Sequence, residues 1–323
     1  MRKKKKKKSK PQSYKIKIPV YTTEVISKSN DLFGTSYDDM ISVIKNKINK
    51  FSTRAFENRN STKKTVINHI ECIDHQLGDR PCLLLRISAY TTNLLDGYFK
   101  EANINEPIGF KKDSEIGSNH NFIMLYPIIL GMDSDNYTQY FIVLVYEDPN
   151  KDSGEVIRLS KIVLRRIVGI PIRNIKLSTI LEELKDLSTI PELQIKYFSI
   201  STSENEVDVK YQPYLFKGNL KRVKEQEFKN MPFDIAQDLL NSNEDTGFER
   251  KVTKMTIGKK EYKISKEEIA NASEEMKETA EKIFNATATI QQDELDSIYK
   301  NDFIIDKLTG VLNEYLKNDN GPC

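Results

Sequence analysis

Two stretches near the middle of the chain, NFIMLYPIIL (121–130) and YTQYFIVLVYED (137–148), are apolar almost without interruption and are separated by the turn-forming GMDSDN. Their β-branched and aromatic residues and their flanking turn signals mark a β-hairpin. Side chains alternate across a strand, so a strand that is apolar at nearly every position has no wet face. The chain must therefore bury this hairpin on both sides.

The surrounding pattern supplies the cover. SYDDMISVIKNKINKF (36–51) places Met40, Ile41, Ile44, Ile48 and Phe51 at helical spacing, with Asp38 and Asp39 in the first turn. GEVIRLSKIVLRRIVG (154–169) reads as a second helix, opened by a capping box of Asp152 with Glu155 and closed by Gly169 and Pro171. LSTILEELKDLS (177–188) reads as a third. YKIKIPVYTTEV (14–25) reads as a first strand, which Pro19 assigns to an edge or a bulge. KTVINHIECID (64–74) and CLLLRISAY (82–90) form a hairpin around HQLGDRP, and LQIKYFSI (193–200) and EVDVKYQ (206–212) are further strands. Beyond residue 218 the texture reads as helical: KRVKEQEFKN (221–230), PFDIAQDLLN (232–241), SKEEIANASEEMKETAEKIFNATATI (265–290) and DELDSIYKNDFIIDKLTGVLNEYLK (293–317), around a small hairpin at 250–264 turning at Gly258 and Lys259. The expected fold is α+β: mainly antiparallel sheet with covering helices over 14–217, a mostly helical region over 218–323, and a disordered polybasic arm over 1–13.

Charge is segregated. The first seventeen residues hold ten of the 50 basic residues and none of the 47 acidic ones, and from Asp234 onward acids outnumber bases 19 to 12. The arm, with Lys3, Lys4, Lys5, Lys6, Lys7 and Lys8, has no apolar area to offset the entropy of ordering and suits a polyanion. Three cysteines exclude a disulfide framework, and no segment has the apolar core of a signal peptide or the length of a membrane span, so a soluble cytoplasmic protein is expected.

NHIECIDHQLGDRPC (68–82) gathers two of three histidines and two of three cysteines, but the spacing of His69, Cys72 and His75 gathers on one face only in a helix. In the expected hairpin, with its turn near Leu77 and Gly78, His69 and His75 point away from Cys72, and Cys72 and Cys82 come out opposite one another. No metal or other cofactor is therefore expected. In the helix at 154–169, Arg158, Lys161 and Arg165 form a stripe about 60° wide at 3.6 residues per turn, with Arg166 at its edge. Such a stripe is ordinarily a solvated face; its functional reading is a ridge that contacts phosphates.

No phosphate loop, dinucleotide fingerprint, nucleophile elbow or HExxH occurs. PFD (232–234) with EYK (261–263) imitates a metal-dependent nuclease motif, but acid-x-Lys also occurs at Glu183, Asp208, Glu227, Glu249 and Glu275, and Asp234 opens a helix. If there is a catalytic centre, Glu147 and Asp148, at the end of the apolar strand with Lys151 nearby, are its first candidates, with Mg²⁺ as the cofactor under that alternative alone. LLLRISAYTTNLLDGYF, MLYPIILG and VYEDPNK loosely resemble proteins carried on bacterial mobile-element or phage-defence loci, a resemblance that implies no residue roles. The expectation is a nucleic-acid-associated binding or accessory protein whose C-terminal helices dock a protein partner or a second copy. The alternatives are a metal-dependent phosphodiesterase and a protein-binding scaffold with an inert tail.

Overall fold

In a computed structural model of the chain, Asn121–Ile128 and Gln139–Glu147 are buried at every position, as their composition requires. The structure describes residues 13–27, 34, 36–57, 64–92, 97–99, 108–110, 115–131, 138–147, 153–201, 220–241, 250–268 and 276–318. The basic arm, Asp148, Lys151, Asp152 and the strand expected at 206–212 lie outside the described residues.

The strands are β1 (Ser13–Thr22), β2 (Ile26–Ser27), β3 (Arg54–Glu57), β4 (Lys64–Leu77), β5 (Arg80–Thr92), β6 (Gly97–Phe99), β7 (Ile108–Phe110), β8 (Glu115–Leu130), β9 (Thr138–Tyr146), β10 (Thr189–Ser201), β11 (Leu220–Pro232), β12 (Arg250–Ile257), β13 (Lys260–Glu268) and β14 (Met276–Gln291). The helices are α1 (Tyr37–Asn49), α2 (Ser153–Ile162), α3 (Leu177–Leu184), α4 (Phe233–Asn241) and α5 (Asn301–Asn318). Mostly antiparallel sheet with a few helices, the chain is α+β. It divides into two units, Met1–Ile172 with Ala286–Cys323, and Arg173–Asn285, the second inserted in the sequence of the first.

In the first unit the sheet order is β14-β1-β9-β8-β5-β4-β3. Register and contacts show how both faces of the central hairpin are covered. Tyr21 pairs with Val143, and the Lys161 ammonium of α2 lies 5.8 Å from the Tyr21 ring, so α2 sits on the face of Phe141, Val143 and Val145. On the other face, that of Ile142, Leu144 and Tyr146, the Tyr146 hydroxyl donates to the Ile298 carbonyl just before α5, whose Ile304, Leu308, Val311 and Leu312 are buried. Helix α1 is fixed at its start by a capping box, in which the Asp39 amide donates to Ser36 Oγ (3.1 Å) and the Ser36 amide to Asp39 Oδ2 (3.1 Å).

The second unit orders its strands β11-β10-β12-β13-β14. Leu193, Ile195, Tyr197, Met255, Tyr262 and Ile264 alternate onto one face of this sheet and pack under α3 (Leu177, Ile180, Leu184) and α4 (Ala236, Leu240). The β12–β13 hairpin turns at Gly258 and Lys259, as expected. Both two-residue turns, Gly78–Asp79 and Gly258–Lys259, have a positive φ at the glycine (61° and 59°) and not at the residue after it, the pattern of a type II′ turn that only glycine enters without strain.

Four expectations need correction. Residues 221–230 and 265–290 are not helices but lie largely in β11, β13 and β14. Their Lys, Glu and Ala favour helices, but sheet pairing overrides weak local preference. A period of two is visible in hindsight, since Ala286, Ala288 and Ile290 are buried while Asn285, Thr287 and Thr289 are exposed. The expected pair of acidic C-terminal helices is thereby reduced to α5. Pro19 lies in an interior strand, because β1 is flanked by β14 and β9. Finally, the β4–β5 turn closes at Leu77–Arg80, which pairs Cys72 with Leu85 and Cys82 with His75. The turn falls one and a half residues later than expected, and this odd change in register puts the two thiols on opposite faces.

Candidate nucleic-acid interface

The helix carrying the basic stripe does not stay α-helical. After α2, Val163–Val168 forms a π-helical turn that ends at Gly169, with φ 79°. The Gly169 and Ile170 amides both donate to the Leu164 carbonyl. Local causes are at hand: Ser160 Oγ donates back to the Val156 carbonyl (2.8 Å), which loosens the ladder, and Ile162, Val163, Ile167 and Val168 are β-branched. The wider turn faces Val163, Leu164 and Val168 inward and leaves Arg165 and Arg166, adjacent in sequence, both exposed.

The stripe thus separates into two parts. Arg158 and Lys161 are half-buried and engaged, Lys161 against Tyr21. Arg165 and Arg166 have no carboxylate partner among the described residues. Beside them, Lys47 of α1 donates to the Val168 carbonyl at 2.7 Å and covers the carbonyl end of the π turn, and Lys50, one helical turn on from Lys47, is exposed. One acid, Glu24, reaches this end of the unit, where its amide donates to the Pro171 carbonyl. Lys47, Lys50 and the π turn were not singled out from the sequence. The adjacency of α1 to residues 163–168 comes from packing, and only the β-branched run around Arg165 and Arg166 hinted at an irregular helix.

Elsewhere the cations are cancelled. On the open face of the second unit's sheet, Lys196 pairs with Glu225 (2.9 Å) and Lys254 with Glu261 (2.9 Å), while Gln194 bridges Glu225 and Glu227. Lys282 pairs with Glu183 (3.3 Å), which also accepts from the Tyr262 hydroxyl. This face has no excess charge to offer a polyanion.

The remaining candidates are placed as follows. Glu147 is buried at the end of β9, and its amide donates to the Lys17 carbonyl (3.1 Å). Its two expected companions, Asp148 and Lys151, and Lys3–Lys8 of the arm are outside the described residues. Among the described residues no group of three or more His, Cys, Asp or Glu is placed to hold a metal ion. At the β4–β5 tip, a groove of about 480 Å³ runs between α1 and the hairpin, lined by Asp38, Ser42, Lys45, Asp74, His75 and Cys82. Lys45 and Asp74 pair across it at 2.7 Å. Burial pushes the Cys72 and Cys82 thiols up to about 11, and the Cys82 thiol donates to the His75 carbonyl (3.4 Å), so neither is an activated nucleophile.

No protein-family model, curated protein or solved structure matches the chain.

Proposed function

We propose that the chain is a nucleic-acid-associated binding or accessory protein of the bacterial cytoplasm. It would hold phosphates with Arg165 and Arg166, reinforced by Lys50 and by the basic arm. The observation that carries this reading is the pair of exposed, unpartnered guanidinium groups on a distorted helical turn, in a chain whose other described surface cations are largely matched by acids. Adjacent guanidinium groups suit phosphate oxygens, which accept their forked donors in parallel. Phosphate contacts of this kind position a duplex without reading it.

The test is fluorescence anisotropy of the full chain on a labelled duplex of about 24 base pairs, across salt. Each phosphate contact contributes about 0.9 to the log-log salt slope. An Arg165→Glu, Arg166→Glu protein is expected to bind more weakly with a slope smaller by about 1.8, and deletion of residues 1–10 to lower the slope further. Binding that ignores both changes, or ignores salt, removes the proposal.

A further inference from the structure

Resting on that reading, we infer that the body of the protein engages the outside of double-stranded nucleic acid and discriminates against single strands. Proteins that grip single strands stack bases on open aromatic rings, each ring contributing substantially to affinity. Among the described residues no aromatic side chain is exposed. Several rings that come nearest to the surface are covered by the chain's own cations. Arg80 lies 4.4 Å from the Tyr37 ring and 5.0 Å from that of Tyr126, Lys307 lies 4.8 Å from Phe303, and Arg250 lies 5.7 Å from Phe198. The buried Tyr197 ring has Lys224 at 5.3 Å and Lys251 at 5.7 Å. A base seeking one of these faces would have to displace a cation already seated there.

What the surface does offer is fixed positive charge, and a duplex rewards this more than a single strand does. Counterion release gives a slope of about 0.9 per contact on a duplex and about 0.7 on a single strand. For the three contacts of Arg165, Arg166 and Lys50, that difference compounds to roughly fourfold tighter duplex binding at 0.1 M than at 1 M salt. With neither stacking nor base-edge contacts, sequence is not read.

The experiment is a competition with the full chain. A labelled duplex is displaced by unlabelled duplex of the same sequence, by duplex of scrambled sequence and by the matching single strand, each tested also with the Arg165→Glu, Arg166→Glu protein. The two duplexes are expected to compete equally, the single strand roughly fourfold less well at 0.1 M salt, and the gap to narrow in the variant. A single strand that competes as well as duplex or better, or a strong preference between the two duplexes, overturns the inference and leaves phosphate binding standing. Failure of the full chain to bind the labelled duplex at all overturns both.

Discussion

The Tyr146 hydroxyl reaches the Ile298 carbonyl at 3.0 Å, with both residues buried, and so ties the end of the most apolar strand to the segment that leads into α5. The Tyr146 ring also meets Phe122 edge-on, with centroids 6.1 Å apart, so the phenol joins a packing role to a polar one. Removing the hydroxyl alone strands a buried acceptor. Tyr146→Phe is expected to cost about 1–3 kcal/mol, read as a lower urea midpoint with an unchanged m-value. Nucleic-acid affinity of the folded variant should match the parent.

Lys47 and Lys50 lie one helical turn apart yet have different work. The Lys47 ammonium covers the Val168 carbonyl at the end of the π turn, whereas Lys50 is exposed. Lys47→Met should lower stability by about 1.5–3 kcal/mol, the range for a hydrogen bond to a charged group. Lys50→Met should leave stability within about 0.5 kcal/mol and weaken duplex binding. Equal stability losses from the two substitutions would contradict the assignment.

Asn230 has φ 51°, the one positive value among described non-glycine residues, and it stands where the β10–β11 pairing skips Pro191. Proline has no amide to donate, so the ladder breaks there and the partner strand bends before Phe233 opens α4. Asn230→Gly should be neutral or slightly stabilising, while Asn230→Val should cost about 1–2 kcal/mol. Thermal melts of the two variants give the comparison.

The two internal thiols bear on pH. Burial raises both from the ordinary 9.0 to about 11, so the folded state holds these protons more tightly than the unfolded chain does. Their contribution to stability is therefore complete below about pH 9 and is lost as pH rises toward 11. Alkaline denaturation should be shallower for a Cys72→Ala, Cys82→Ala protein than for the parent over that window. At pH 8, alkylation of native protein should spare Cys72 and Cys82 until denaturant is added.

Much of this could be read along the chain. The apolarity of 121–130 and 137–148 dictated a doubly covered hairpin. Ser36 with Asp38 and Asp39 marked the start of α1, and Gly258 marked a turn. In each case neighbouring residues set the outcome: burial by composition, a cap by a side chain reaching three residues ahead, a turn by glycine's freedom. The basic pair was legible as well, since Arg165 and Arg166 lie together in the sequence, although their setting was not.

Folding alone decided the rest. Residues 276–291 carry helix-forming Lys, Glu and Ala but lie as a strand, because the backbone groups of β13 offer a ladder of partners that no local window reveals. A turn placed one and a half residues later moved Cys72 and Cys82 to opposite faces of the sheet. Which cations remain unmatched was likewise settled by distant chain segments: Lys196 and Lys254 found carboxylates 29 and 7 residues away, while Arg165 and Arg166 met none among the described residues. Local propensity is a matter of fractions of a kcal/mol per residue, and the pairing of whole strands, each with many backbone groups to satisfy, overrules it.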